Sequence, residues 1–169
     1  MTFQIVEALA IDNINEKAPY KVLFREDRPC NFYFVTDYNV EYSISISMDY
    51  SIIPSGAYVL DITNAKHKAS PNDVKFRQTL VAIIEEFFEK NNDVMLYIAE
   101  TGDEKQSSRN RLFVRWFNTY EHKERYVIHT AEGELEGQMN FLAFFSRKDN
   151  PRLLQYLEEF NETIELLFN

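Results

Sequence analysis

The sequence predicts an α+β fold: a mostly antiparallel β-sheet of about six to eight strands with three helices packed on it. Three observations predict it. The first third of the chain is built of short aromatic and β-branched runs parted by turn residues. Residues 40–48 alternate strictly between apolar and polar, and the remainder interleaves helix-period segments with further strands.

Taken in order, residues 20–25 and 31–35 read as strands, with Glu26-Asp27-Arg28-Pro29 as the turn between them. Next, Val40, Tyr42, Ile44, Ile46 and Met48 share one face, and Glu41, Ser43, Ser45, Ser47 and Asp49 the other. That is the period of a sheet buried on one side. Pro54-Ser55-Gly56 makes a turn, after which Tyr58, Leu60 and Ile62 continue as a strand. Residues 3–9 fit either an extra strand or a short helix.

A helix is expected to begin at Ser70-Pro71-Asn72-Asp73, with Ser70 as cap, Pro71 at the first helical position and Asp73 closing a capping-box-like contact. Phe76, Leu80, Ile83, Ile84, Phe87 and Phe88 recur at helical spacing, with Glu85, Glu86, Glu89 and Lys90 off that face. Asn91-Asn92-Asp93 ends it. Residues 94–99 are apolar at consecutive positions, as in a strand covered on both faces. A second helix is expected over about 104–120. Strands over 126–130 and 138–145 follow, joined by an acidic hairpin tip at 131–137. The last helix starts near Asp149-Asn150-Pro151 and carries Leu153, Leu157, Phe160, Ile164 and Leu167 on one stripe.

Length and composition point to one domain spanning residues 1–169. A chain of 20.0 kDa buries roughly 70% of its extended surface on folding. Aromatic residues at 15% exclude intrinsic disorder, and four glycines leave little material for phosphate-cradling loops. The formal net charge of −9 disfavours general binding to nucleic acid or to an anionic membrane. It suits a protein that docks onto a basic partner, and it also serves plain solubility.

The single cysteine, Cys30, allows no intrachain disulfide and suits a reduced cytosol; within Pro29-Cys30-Asn31-Phe32 it reads as a small buried or edge thiol. The N-terminal residues show no signal-peptide pattern, and no apolar run approaches the roughly 18–20 residues of a membrane span. The expected setting is therefore cytoplasmic, without membrane association.

Conventional chemistry is sparse. His67, His122 and His129 lie apart without zinc-motif spacing, and no Cys-x-x-Cys, Walker loop, Gly-x-Gly-x-x-Gly or nucleophile elbow occurs. No metal or cofactor is expected, and these motifs name no catalytic residue. The unusual stretch runs from Glu100 to Phe117, out of the most apolar strand, through Gly102 and into the expected second helix. On that helix Leu112, Phe113, Trp116, Phe117 and Tyr120 form the apolar face. Lys105 and Arg109 project onto the same face one and two turns earlier, with Gln106 at its edge. A buried guanidinium needs a partner, and three readings supply one.

In the first, Arg109 pairs internally with Glu100 or Asp103. In the second, Arg109, Lys105 and Gln106 hold an anion or phosphate beside the helix N-terminus. In the third, Asp103 or Glu104 acts as a hydrolytic base or metal ligand. The candidate binding set is Thr101, Asp103, Glu104, Lys105, Gln106, Arg109 and Arg111. Arg111, Arg115, Lys123 and Arg125 form a basic patch, but the neighbouring aromatics lie on the buried side, so a nucleic-acid surface is not expected.

Residues 97–106, followed by Arg109-Asn110-Arg111-Leu112-Phe113 and Trp116-Phe117, resemble an uncharacterised domain family of unknown function from Bacteroidota-type bacteria. Its members share a short strand, a Thr-x-Asp turn, a Gln, spaced arginines, then Leu-Phe and Trp-Phe; Lys148-Asp149-Asn150-Pro151 is similar too. The chain departs from the pattern at Lys105, where arginine is expected, and at Glu104, where glycine is common. The resemblance implies a bacterial cytosolic protein and supplies no activity. The functional expectation is a non-enzymatic binding protein that acts through a protein or small-anion partner, in an immunity-like or defence-associated role. The alternative is a nucleotide- or phosphate-binding sensor or enzyme that uses the 101–111 turn.

Overall fold

The computed structural model describes residues 9–25, 31–64, 73–100 and 117–168, the side chains of Glu100 and Leu135 excepted. The fold is α+β. Among the described residues seven strands form a mixed, mostly antiparallel sheet: β1 (Leu23–Phe24), β2 (Asn31–Val35), β3 (Glu41–Asp49), β4 (Ala57–Asn64), β5 (Met95–Glu100), β6 (Tyr126–Leu135) and β7 (Gln138–Arg147). Their spatial order is β1-β2-β3-β4-β5-β7-β6. Among the described residues there are three α-helices, α1 (Ile11–Lys17), α2 (Val74–Lys90) and α3 (Leu153–Phe168). The chain divides into two compact units, residues 1–47 with 61–91, and residues 48–60 with 92–169.

In the first unit the alternation of β3 does what its period demands. Tyr42, Ile44 and Ile46 are buried, while Glu41, Ser43 and Ser45 are half-buried on the opposite face. Phe32 and Phe34 of β2 lie opposite Ile44 and Tyr42, so one aromatic face forms. The α2 side chain of Phe76 packs onto it, its ring 4.3 Å from that of Tyr42 and 5.9 Å from that of Phe34.

The N-cap of α2 is Asp73, whose side chain accepts from the Lys75 N–H at 3.0 Å, rather than Ser70, which lies outside the described residues. Glu86 corrects a second expectation. It is buried, because Asn13 of α1 lies over it and donates its side-chain amide to both carboxylate oxygens. The helix α1 itself was not foreseen. It is held by the fully buried Ile14 and by Asn15, which exchanges two hydrogen bonds with the backbone of Val22. With Val22 satisfied by a side chain, and the Tyr20 N–H by Thr79, the strand expected over 20–25 shrinks to Leu23–Phe24.

In the second unit β4 pairs with β5 in parallel, and β5 pairs with β7 antiparallel. Val94 to Tyr97 and Ala99 are buried, so β5 is covered on both faces as its composition demands, with Ile98 left at the margin. One face carries Leu96, Leu142 and Phe144 against Tyr156 and Phe160 of α3. The other carries Phe145, on which Phe117 packs with ring centres 5.2 Å apart.

The hairpin tip is tighter than residues 131–137. A two-residue turn of Glu136 and Gly137, with φ of 53° and 81°, lets the strands continue to Leu135 and resume at Gln138. Gly133 lies beneath the Phe168 ring, where a Cβ would collide with it, so α3 seats its end on β6 only because that position is glycine. Residues 3–8 and the expected helix over 104–116 fall outside the described residues; Phe117 and Asn118 are helical.

Candidate functional site

All seven residues of the sequence-derived site, Thr101, Asp103, Glu104, Lys105, Gln106, Arg109 and Arg111, lie outside the described residues, as do Arg115, Cys30 and His67. The strand that leads to them is placed: β5 ends at Glu100, paired with Asn140 of β7. Lys123 and Arg125 stand exposed in a short 3-10 turn. His122 packs edge-on to Tyr120, and the exposed His129 edge-on to Phe144. Among the described residues no group of three or more His, Cys, Asp or Glu is placed to hold a metal ion.

A buried polar knot among the described residues serves folding. At the start of α2, the buried Tyr20 hydroxyl donates to Asp73 Oδ2 at 2.6 Å and accepts from the Asp37 N–H at 3.2 Å, while Lys75 Nζ meets Asp37 Oδ2 at 2.8 Å. Burial, then the bond to Asp73, pushes the Tyr20 phenol up to about 12. The polar atoms of this knot answer one another.

In the second unit burial raises the half-buried Asp93 carboxyl above its ordinary value, with the nearby Arg152 opposing the shift. The folded state therefore holds that proton more tightly than the unfolded chain does. Stability falls as pH rises through the raised value, and the penalty persists at neutral pH. Asp93→Asn should accordingly raise Tm at pH 7, with the advantage shrinking towards about pH 3. A pH series of thermal melts checks this, and a lower Tm for the variant at pH 7 would contradict it.

The outer face of α3 takes no part in the core. Its inner side is well anchored. Tyr156 and Phe160 enter the core, Glu159 accepts from the Ser55 N–H and hydroxyl at 2.8 and 2.7 Å, and Thr163 donates to the Ile52 carbonyl at 2.6 Å. These contacts turn Leu154, Glu158, Asn161, Glu162, Glu165 and Leu166 to solvent. Leu154 is 77% and Leu166 84% exposed.

At about 100° per residue the outward order is Leu154, Glu165, Glu158, Glu162, Leu166, so the leucines bracket three carboxylates. The helix contains no Lys, Arg or His to offset them. Like charges at i,i+4 and i,i+3 cost about 0.2–0.5 kcal/mol each, and an acidic group in the last turn opposes the helix dipole by about 0.3–1 kcal/mol. These charge terms oppose α3 locally.

Sequence reading passed over Leu154 and Leu166 because each adjoins a residue of the core stripe, Leu153 and Leu167, and was absorbed into it. The signal that separates them is angular. Leu154 stands 100° beyond Leu153, off the arc that Leu157 and Phe160 define.

The model of a family of unknown function (DUF6169) matches residues 72–162, more than half of the 169-residue chain. The matched segment takes in α2, β5, residues 101–116, the β6–β7 hairpin and most of α3. No curated protein and no solved structure matches the chain.

Proposed function

The chain belongs to this family of unknown function, and from that premise we propose that it is a binding protein that acts through a protein partner rather than by catalysis. The observation that carries the reading is the outer face of α3, where Leu154 and Leu166, 77% and 84% exposed, bracket the exposed Glu158, Glu162 and Glu165 with no basic residue on the helix. The absence of any nucleophile, metal or phosphate-loop motif from the sequence supports it. A bacterial cytosolic setting, with an immunity-like or defence-associated role, suits the acidic composition and the lone cysteine.

Leu154→Ser combined with Leu166→Ser tests the reading. Both side chains are exposed, so the melting temperature should stay within about 4 °C of wild type. Affinity capture from cells of the source organism should return a partner with the wild-type chain and lose it with the double variant. Equal capture by both chains would remove the support.

So would turnover in a nuclease, phosphatase and nucleotide screen that Arg109→Ala abolishes. A rise in Tm with ATP, GTP or a cyclic nucleotide that the same substitution removes would favour the alternative, a nucleotide- or phosphate-binding site at 101–111.

A further inference from the structure

We propose that the outer face of α3 docks a basic amphipathic helix of another protein, its apolar side chains covering Leu154 and Leu166 and its Lys or Arg residues meeting Glu158, Glu162 and Glu165. The proposal rests on the protein-binding reading and adds the chemistry of the partner. Charge complementarity selects it. The α3 helix carries four glutamates and no basic residue; Glu159 is engaged by Ser55, and the other three share the exposed face. Among the described residues none of those three has an ion-pair partner.

Phosphate-bearing partners, nucleic acid or anionic lipid, meet repulsion at this face. A second copy of the chain in a two-fold contact fares no better, because that contact sets a patch against itself and would oppose carboxylates to carboxylates. Leu154 and Leu166 lie twelve residues apart, about 18 Å along the axis and about 120° around it, so a facing helix of three to four turns reaches them at the two edges of its contact. The carboxylates lie between the two leucines, so the facing helix presents its Lys or Arg residues along the centre of the contact and its apolar side chains at the flanks, with charge setting the choice of partner.

The probe is a 16-residue leucine–lysine amphipathic helix, fluorescein-labelled, with a leucine–glutamate peptide of the same pattern as control. Anisotropy titrations of the full chain should show binding of the lysine peptide only, weakened at least tenfold by Glu158→Gln with Glu162→Gln and Glu165→Gln. The Leu154→Ser, Leu166→Ser variant should lose at least as much. Amide shifts in 15N spectra should fall on residues 153–166.

No binding, binding that survives both sets of substitutions, or shifts centred elsewhere would overturn the proposal. Self-association of the free chain that the leucine substitutions abolish would overturn it as well, since the occupant would then be a second copy. Leucine-dependent capture of a cellular partner alongside a silent lysine peptide would overturn only the basic chemistry. Loss of both would remove the protein-binding reading with it.

Discussion

Phe144→Ala should lower stability by about 3–5 kcal/mol, the range for truncating a fully buried aromatic. Phe144 is 0% exposed at the centre of β7, its ring 5.4 Å from that of Phe160 and 6.2 Å from that of His129. Around it stand Val94, Leu96, Leu142 and Tyr156, all buried, so the space vacated by the ring has no neighbour free to fill it. The effect should appear as a fall in Tm on the order of 10 °C and as a lower urea midpoint. Phe144→Leu, which keeps most of the volume, should recover more than half of the loss. A Phe144→Ala midpoint close to that of Leu154→Ser would show that this cluster does not form the core of the second unit.

Asp73→Ala should be the most damaging polar substitution, at about 2–4 kcal/mol. One side chain performs two tasks there. Its Oδ1 accepts from the Lys75 N–H at the first turn of α2, and its Oδ2 accepts from the buried Tyr20 hydroxyl. Losing a cap costs about 0.5–2 kcal/mol, and leaving a buried hydroxyl without its acceptor costs about 1–3 kcal/mol. The sum is bounded because a single side chain serves both bonds. Asp73→Asn keeps one acceptor oxygen and should fall between alanine and wild type.

An alkaline melt provides an independent check. Because the Tyr20 phenol is raised to about 12, its contribution is fully present below about pH 10 and is lost as pH rises towards 12. The wild-type chain should therefore show a steeper loss of stability across that window than Tyr20→Phe. Parallel pH profiles would mean that the hydroxyl is not held as described.

How much of this was legible depended on whether the signal was local. The β3 strand was plain because burial on one side imposes a period of two, and residues 40–48 keep it without a break. The covering of β5 on both faces followed from an unbroken apolar run. By contrast, Ile11–Lys17 has only Ile11 and Ile14 as apolar residues, and its helix is held by Asn13 reaching Glu86 far along the chain and by Asn15 bonding the backbone of Val22, seven residues on. No window of local sequence contains Glu86.

The parallel β4–β5 pairing was equally hidden, since period and composition do not encode strand direction. For the site, the family resemblance was legible in residues 97–117 and 148–151, and the match over 72–162 covers both. The face of α3 was written in the sequence too. It needed the anchoring contacts of Glu159 and Thr163 to show which side of the helix looks outward.

The strand order has one more consequence, for life at high concentration. With β6 last in the sheet, a ten-residue strand presents its second backbone edge without a described strand beside it, a geometry that invites edge-to-edge aggregation. Glu132, Glu134 and Glu136 put carboxylates along that edge and at its turn, and the opposite end of the sheet is blunted by a β1 of only two residues. An incoming strand would have to set its own side chains beside those carboxylates to extend the ladder, and an acidic edge of this kind disfavours such pairing.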